Sequence, residues 1–175
     1  MDNRIKYTKM VIRQAFIKLL GERPVDKISV TEICKLAEIN RATFYRYYEN
    51  QYELLSTIQN EMMDEIQSTI ADQTEDIDSC IRLIFQKFYE RRDEWMLLLG
   101  DNADTRFLTK IYRFFSEYFQ KKNSSEESRM RYQFLLYGIS GLFDQWTKNG
   151  MKEPPDTMAA YATMFRRDLA AHRTH

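Results

Sequence analysis

Apolar residues recur at intervals of three and four along almost the whole chain, the period of an amphipathic α-helix. Gly and Pro fall mainly at the breaks, and no pair of alternating segments predicts strands. The pattern therefore predicts an all-α protein, with Gly21 stopping the first helix. The expected helices span about 8–20, 30–39, 41–47, 51 to beyond 70, 77–99, 105–122, 126–148 and, after Pro154-Pro155, a last one ending near 171.

The segment from Ser29 to Asn50 carries the start signals of three successive helices. Ser29 and Glu32 form an S-x-x-E capping box, in which the hydroxyl accepts the Glu32 amide hydrogen and the carboxylate accepts the Ser29 amide hydrogen. Asn40 is a good N-cap, and so is Asn50, which has Glu53 three positions on. Two caps ten residues apart leave room for one short helix between tight turns.

The short helix after Asn40 is both aromatic and basic. Its apolar residues Phe44 and Tyr48 are four positions apart, so they share one face, which we expect to point inward. The outer and flanking faces are left to Arg41, Thr43, Tyr45, Arg46 and Tyr47. An exposed face of Arg and Tyr favours a polyanionic partner. Two short helices followed by the start of a third are the layout of a helix-turn-helix DNA reader.

These residues resemble the tetracycline-repressor (TetR) family of bacterial transcription factors over about residues 5–58. In that family Thr or Ser opens the second helix, an Ile-Ala pair follows, and the third helix reads basic-small-Thr-apolar-Tyr-x-x-aromatic. This chain has Ser29, then Ile33 with Cys34, and RATFYRYY at 41–48. It departs from the family in two places. Glu38 stands where the turn usually has Gly, and Gln51 replaces a Lys that meets a phosphate.

The resemblance implies a DNA-binding regulator that acts as a homodimer on a palindromic double-stranded operator. It implies a three-helix helix-turn-helix domain at 1–50 and a helical effector-binding and dimerisation domain at 51–175, with the helix 51–72 connecting the two. No cofactor is expected.

The resemblance also implies roles for the DNA-contacting residues. Arg41 reaches a guanine edge or a flanking phosphate, and Thr43 and Tyr45 meet bases or a thymine methyl. Arg46 and Tyr47, together with Ser29, meet phosphates, which fix register without reading sequence. The candidate set is Ser29, Thr31, Arg41, Ala42, Thr43, Tyr45, Arg46, Tyr47 and Gln51. In the competing interpretation the tyrosines pack in the core, the arginines form a solvated face, and Thr43 is an ordinary first-turn residue.

Charge is distributed unevenly although the formal net charge is zero. Residues 1–50 hold ten Lys and Arg against six Asp and Glu, whereas residues 51–175 hold sixteen against twenty, so the basic excess lies with the DNA reader. Cys34 and Cys80 are too few for a disulfide framework, and the first residues do not form a signal peptide. No apolar run reaches the roughly 18 to 20 residues of a membrane span. We therefore expect a cytoplasmic protein without membrane contact.

The stretches 95–111 and 134–150 resemble the C-terminal domain common among TetR-like regulators of Gram-positive bacteria. In the family the last two helices pair with their copies in a second subunit. Here Gly138 and Gly141 lack side chains, which permits close approach of another helix. The expected dimer interface is Leu135, Gly138, Gly141, Leu142, Trp146, Tyr161 and Phe165. The competing interpretation assigns both apolar stripes to the core of the monomer.

Aromatic residues are frequent after residue 80, and the family often binds an effector in a cavity of this part. The candidate lining residues are Phe85, Phe88, Tyr89, Trp95, Phe107, Tyr112, Phe134 and Tyr137. Aromatic stripes at helical spacing also form ordinary cores, and this alternative stays open. The effector is a small molecule or a protein.

The sequence lacks the residues and motifs that enzymes usually use for catalysis. The two His are confined to the last four positions, and there is no CxxC and no Gly-rich loop. His172 and His175 are either a two-His metal site or, as we interpret them, a loose tail. We therefore interpret the chain as a TetR-like repressor and not as an enzyme. The alternative is an activator or an interaction module that works through a protein co-regulator.

Overall fold

A computed structural model describes residues 3–72, 77–100, 102, 106–121 and 125–171. Within these residues the protein is helical and has no strand, which confirms the predicted all-α class. Besides a 3-10 turn at Val25–Lys27, the α-helices are α1 Asn3–Glu22, α2 Val30–Leu36, α3 Arg41–Tyr45, α4 Gln51–Asp72, α5 Ile77–Glu90, α6 Arg92–Leu99, α7 Arg106–Lys121, α8 Glu126–Lys148 and α9 Pro155–Ala171.

Several predicted helix boundaries were wrong, since α1 begins at Asn3 and not near Thr8, and α2 ends at Leu36 and not near Ile39. Gly21 does not stop the first helix, because α1 continues through it to Glu22. A Cβ at Gly21 would lie 3.5 Å from the Leu97 side chain, so Gly permits a close contact there. The helix expected at 77–99 is two helices, α5 and α6, with a turn at Arg91 between them. The apolar period continues across that turn and therefore does not reveal it.

The chain divides into two compact units. Unit 1 comprises Met1–Asp64 and Asp93–Phe107, and unit 2 comprises Glu65–Arg92 and Leu108–His175. Unit 1 thus extends beyond the 1–50 domain expected from the sequence, because it includes most of α6 and the start of α4.

Unit 1 has a core of fully buried apolar side chains from its helices, among them Ile12, Phe16, Leu20, Ile33 and Phe44. Three hydrogen bonds tie the 93–107 segment to this core region. The Arg13 Nε donates to Glu94 Oε1 at 2.7 Å, the Val25 amide donates to the Asn102 carbonyl at 3.0 Å, and Asn102 Nδ2 donates to the Leu20 carbonyl at 3.1 Å. Residues far apart in sequence therefore hold the segment in unit 1.

Unit 2 is built on the packing of α5 against α9 and of α8 against α9. Trp146 lies in its interior beside the Phe85 and Phe143 rings, with centroid distances of 5.4 and 6.0 Å. Its indole N–H donates to the Glu153 carbonyl at 3.1 Å. A charged contact adds to the α5–α9 packing, because Arg166 makes a two-point contact with Asp78, at 2.6 and 2.8 Å.

Replacing Asp78 with Asn is expected to lower the free energy of unfolding at neutral pH by roughly 1.5 to 3 kcal/mol, the value of hydrogen bonds to a charged group. The Arg166 hydrogen bonds, and to a lesser extent Arg167, hold the pKa of Asp78 below its ordinary 3.8. A carboxyl group whose pKa is lowered by folding stabilises the fold at pH values above its pKa in the unfolded chain. This stabilisation is lost as the pH falls through the pKa of the folded state. The difference between the two proteins should therefore shrink below about pH 4.

Urea unfolding at several pH values measures this effect. Asp144→Asn is the matched control, because Asp144 pairs with Lys148 at 2.7 Å on an exposed helix face, where ion pairs contribute little. An equal loss in both variants would contradict the assignment of Asp78 as the residue that ties α5 to α9.

Candidate nucleic-acid interface

The capping box predicted at the start of α2 is present. The Ser29 hydroxyl accepts the Glu32 amide hydrogen, and the Glu32 carboxylate accepts the Ser29 amide hydrogen at 3.0 Å. The same carboxylate accepts the Ser29 hydroxyl hydrogen at 2.7 Å and pairs with Arg23 at 2.8 Å. The Ser29 hydrogen bonds, with a smaller contribution from Arg23, lower the pKa of Glu32. Both Ser29 and its neighbour Thr31 are exposed.

The start of α3 is fixed by Asn40. Its Oδ1 accepts the Thr43 amide hydrogen at 2.8 Å and the Thr43 hydroxyl hydrogen at 3.0 Å. Phe44 is fully buried and Tyr48 nearly so, as the sequence predicted. Tyr45 is 55% exposed, with its ring edge against Phe44 at a centroid distance of 5.7 Å. The buried ring of Phe44 thereby turns its neighbours outward.

The outward side of α3 carries most of the predicted DNA contacts. Arg41, Ala42 and Arg46 are exposed, and Thr43 is half-buried. The Arg41 guanidinium donates a hydrogen bond to the Thr31 hydroxyl of α2. The two helices of the motif thus share one polar surface.

Tyr47 is half-buried at the edge of this surface. The Lys9 ammonium lies over its ring, 5.7 Å from the centroid, in a cation–π arrangement. Tyr47 also lines a groove of about 540 Å³ between the start of α1 and the turn before α3. The lining residues are Arg4, Ile5, Thr8, Glu38, Ile39, Asn40, Thr43, Arg46 and Tyr47.

Sequence reasoning missed the contribution of α1 to this surface. Arg4, Thr8 and Lys9 lie beside Tyr47 or line the groove. The only signal in the sequence is the basic run of Arg4, Lys6 and Lys9 in the first turns of the helix. That run does not by itself point towards α3.

Helix α4 begins at Gln51, directly after the expected N-cap residue Asn50. The Asn50 Oδ1 accepts the amide hydrogens of Tyr52 and Glu53, both at 2.9 Å. Gln51 is half-buried at this end of α4. Its side chain stands at the position where the family pattern has a phosphate-binding Lys.

The turn between α2 and α3 forces Glu38 into the left-handed region, with φ 54°. The Ile39 amide donates to the Cys34 carbonyl at 3.0 Å, which closes the end of α2 around that residue. A side chain with a Cβ is costly in this conformation. The turn is therefore as sharply left-handed as the family's Gly would make it, and Glu38 is strained.

The residues predicted for an effector cavity fall into two groups. Phe85, Phe88, Tyr112 and Tyr137 line a cavity of about 510 Å³ in unit 2. The other four do not line it. Tyr89 stacks on Trp146, Trp95 stacks on Phe107 inside unit 1 at a centroid distance of 5.8 Å, and Phe134 is 65% exposed.

Of the residues predicted for a dimer interface, Leu135 and Trp146 need correction. Only 8% and 1% of their surfaces are exposed, because both pack inside the chain itself. Leu142 is half-buried. The remaining four lie on open surface: a Cβ at Gly138 or Gly141 would meet no atom within 4 Å, and Tyr161 and Phe165 are about half exposed.

The described residues hold no group of three or more His, Cys, Asp or Glu that could bind a metal ion. His172 and His175 lie outside them. None of the described helices is long and apolar enough to cross a membrane.

Two family profiles match most of the chain. The one described as "Bacterial regulatory proteins, tetR family" matches residues 12–58, and the one described as "Transcriptional regulator C-terminal region" matches residues 75–167. Together with the paired helices α2 and α3, these matches define a DNA-binding transcriptional regulator and not an enzyme. The chain belongs to the TetR family.

Two curated relatives resemble the chain. The dhaKLM operon transcriptional activator DhaS of Lactococcus lactis is 29% identical over 143 residues, which are 81% of this chain and 64% of that protein. The chain thus spans less than two thirds of that relative. The uncharacterized HTH-type regulator YxbF of Bacillus subtilis is 36% identical over 59 residues, which are 33% of this chain and 16% of that protein.

Solved structures share the fold at low identity. A TetR regulator from Streptococcus agalactiae has a TM-score of 0.69 at 24% identity, and the match covers 94% of this chain and 96% of that one. A TetR-family regulator from Syntrophomonas wolfei has a TM-score of 0.70 at 18% identity, with 95% and 96% covered. These likenesses establish the fold alone.

Replacing Glu38 with Gly is expected to stabilise the protein by roughly 0.5 to 1 kcal/mol. Relief of the left-handed backbone gains about 1 to 2 kcal/mol, and the greater freedom of Gly in the unfolded chain costs about half of that. Urea unfolding measures the change. Glu38→Ala is the control, because it removes the carboxylate but keeps a Cβ. If the Ala variant gained as much as the Gly variant, backbone strain would not be the cause.

Proposed function

We propose that this TetR-family regulator is a repressor that binds a palindromic operator as a homodimer and is released by an effector. The observation that carries the DNA-binding part is the outward side of α3, where a buried Phe44 and the Asn40 cap hold exposed Arg and Tyr side chains beside α2. Two copies related by a two-fold axis would enter successive major grooves about 34 Å apart.

The residues of this interface differ in their exposure and in the hydrogen bonds that they already make. These differences support different roles in DNA binding. Arg46 and Tyr45 are exposed, whereas the Thr43 hydroxyl is already engaged with Asn40. Thr43 therefore offers its methyl group and an acceptor to a base edge, and Tyr45 offers an exposed ring and hydroxyl. We assign contacts with the DNA phosphate backbone to Ser29, Thr31, Arg46, Tyr47 and Gln51. Arg41 and Ala42 are assigned to the face of the helix that enters the DNA groove.

Arg46→Ala is expected to weaken binding to all DNA sequences and to lower the slope of log affinity against log salt by about one per subunit, because one phosphate contact is lost. Thr43→Val and Tyr45→Ala should instead cost roughly 1 to 3 kcal/mol on the cognate site only. Fluorescence anisotropy on the region upstream of the gene, and on scrambled DNA, measures both.

Arg129→Ala is the matched control, because Arg129 is an exposed Arg of α8 in unit 2. It should leave both the affinity and the salt slope unchanged. If Arg46→Ala behaved like this control, the assignment of α3 as the DNA reader would be wrong.

An open apolar surface on α8 and α9 supports the homodimer. Tyr161 and Phe165 are exposed on α9, and Gly138 and Gly141 have open space above them on α8. Large exposed aromatic residues beside helix positions without side chains fit close helix pairing. A two-fold palindromic site also requires two copies of the reader.

Phe165→Glu is expected to convert the dimer into monomers, because it places a charge in an apolar contact. Operator affinity should fall with it. Light scattering at micromolar concentration measures the mass. Met10→Glu is the control for the mass measurement, since Met10 is a similarly exposed apolar residue on α1 in unit 1. A wild-type monomer at this concentration would contradict the dimer.

Activation is the second candidate function, because the Lactococcus relative is named as an operon activator. The cavity in unit 2 supports a small-molecule effector, whereas activation through a co-regulator would use a protein partner. A reporter gene fused to the promoter that the protein binds distinguishes repression from activation. Deleting the gene should raise expression for a repressor and lower it for an activator.

A further inference from the structure

The cavity of unit 2 is large enough for a small organic molecule. Its volume is about 510 Å³, and its walls come from α5, α7 and α8. Ligand cavities of proteins commonly measure about 300 to 1,000 Å³. The space is therefore sufficient for a ligand with two or three fused rings.

The walls are apolar almost throughout. Six Ile and Leu side chains and four Phe rings together form most of them. These residues are Ile81, Ile84, Phe85, Phe88, Leu108, Ile111, Phe115, Leu136, Ile139 and Phe143. Burial of a neutral apolar ligand against such walls is favourable by roughly 25 cal/mol per Å² of apolar area.

The cavity offers no unpaired charge to an ionic ligand. Asp144 is the one Asp, Glu, Lys or Arg among the described lining residues, and its carboxylate binds the Lys148 ammonium at 2.7 Å on an exposed surface. An ion that entered the apolar interior would lose its hydration without gaining a partner. The lining therefore selects against charged molecules.

One polar group in the lining is buried and unsatisfied. The Tyr112 hydroxyl is buried and makes no hydrogen bond of normal geometry, although the Tyr137 hydroxyl is near enough to act on it, whereas the Ser140 hydroxyl donates to the Tyr137 carbonyl at 2.9 Å. A buried unsatisfied hydroxyl costs about 1 to 3 kcal/mol, which an acceptor placed against it would recover. Tyr112 is thus the one buried donor that the described lining residues leave available.

The protonation of Tyr112 fixes its role as a donor. Burial, with a further contribution from Tyr137, raises the pKa of Tyr112 to about 12. The Tyr137 ring lies 5.0 Å from the Tyr112 ring between centroids, and Tyr137 is more than half exposed. A ligand that displaces the Tyr137 ring would reach the Tyr112 hydroxyl.

We propose that the cavity binds an uncharged, largely apolar small molecule with one carbonyl oxygen, such as an aryl ketone, which accepts a hydrogen bond from Tyr112. This proposal rests on the effector suggested above and names its chemical class. Binding is non-covalent, and the ring system fills the space between the Ile and Phe walls.

Three fluorescent naphthalenes test the proposal. Prodan is a neutral 2-dimethylaminonaphthalene with a 6-propionyl ketone, its 6-propyl analogue lacks the carbonyl, and the 6-carboxylate analogue is an anion. Fluorescence titration of the full protein without DNA measures the three affinities. The ketone is expected to bind about fivefold tighter than the propyl compound, the equivalent of one neutral hydrogen bond, and at least tenfold tighter than the carboxylate.

Tyr112→Phe should abolish the preference for the ketone over the propyl compound, and should raise the urea midpoint of the free protein because an unsatisfied hydroxyl is removed. Tyr118→Phe is the control, since Tyr118 lies on the same helix outside the lining, and it should keep the preference. Ile84→Trp fills part of the cavity and should weaken all three probes.

Absence of prodan binding up to its solubility limit would overturn the proposal, as would equal affinity for ketone and propyl compound or a preference that survives in Tyr112→Phe. These measurements use no DNA. Failure of operator binding would therefore leave them unchanged, and failure here would leave the DNA-binding proposal unchanged.

Discussion

The presentation of α3 depends on the Asn40 side chain and on the burial of one Phe ring. A helix of five residues is too short to be stable alone, because nucleation costs more than its few hydrogen bonds return. Asn40 satisfies the first turn through the Thr43 amide, and Phe44 anchors the helix in the core of unit 1. The direction of every exposed side chain on α3 follows from these two restraints.

Arg41 and Thr43, two of the residues proposed to meet the bases, already make side-chain hydrogen bonds in the free protein. Arg41 donates to the Thr31 hydroxyl, and the Thr43 hydroxyl donates to Asn40. Such contacts restrict the side chains before DNA arrives, which reduces the ordering cost of binding. They also mean that Arg41 exchanges one hydrogen bond for another when it meets a base or phosphate. Its net contribution should therefore be smaller than that of an unengaged arginine.

The parts of the fold that follow from local rules could be predicted from the sequence. The Ser29 capping box, the Asn40 cap and the bounds of α8 depend on residues within a few positions of each other. The division into units depends instead on contacts such as Arg13 with Glu94, which are 81 positions apart. No local pattern marks such a pair, and so the turn at Arg91 and the larger extent of unit 1 were not foreseen.

The candidate sites show the same limit. Helix α8 is apolar on more than one side, so the sequence did not show that Trp146 faces inward while Gly138 and Gly141 face open space. Choosing aromatic residues for a cavity found four of its lining residues but missed the six Ile and Leu residues that also line it. Residue type indicates what a cavity favours, whereas the packing of separate helices decides which residues line it.

Gly141 and Tyr137 connect the two proposals made for unit 2. Both line the cavity, and both are exposed on α8, the helix assigned to the dimer surface. A ligand that displaces Tyr137 would therefore change the surface that a second copy meets. By linkage, dimerisation would then alter ligand affinity by the same factor. Under both proposals the effector and the partner subunit act on one short stretch of α8, so ligand binding and dimerisation would be coupled through the same residues.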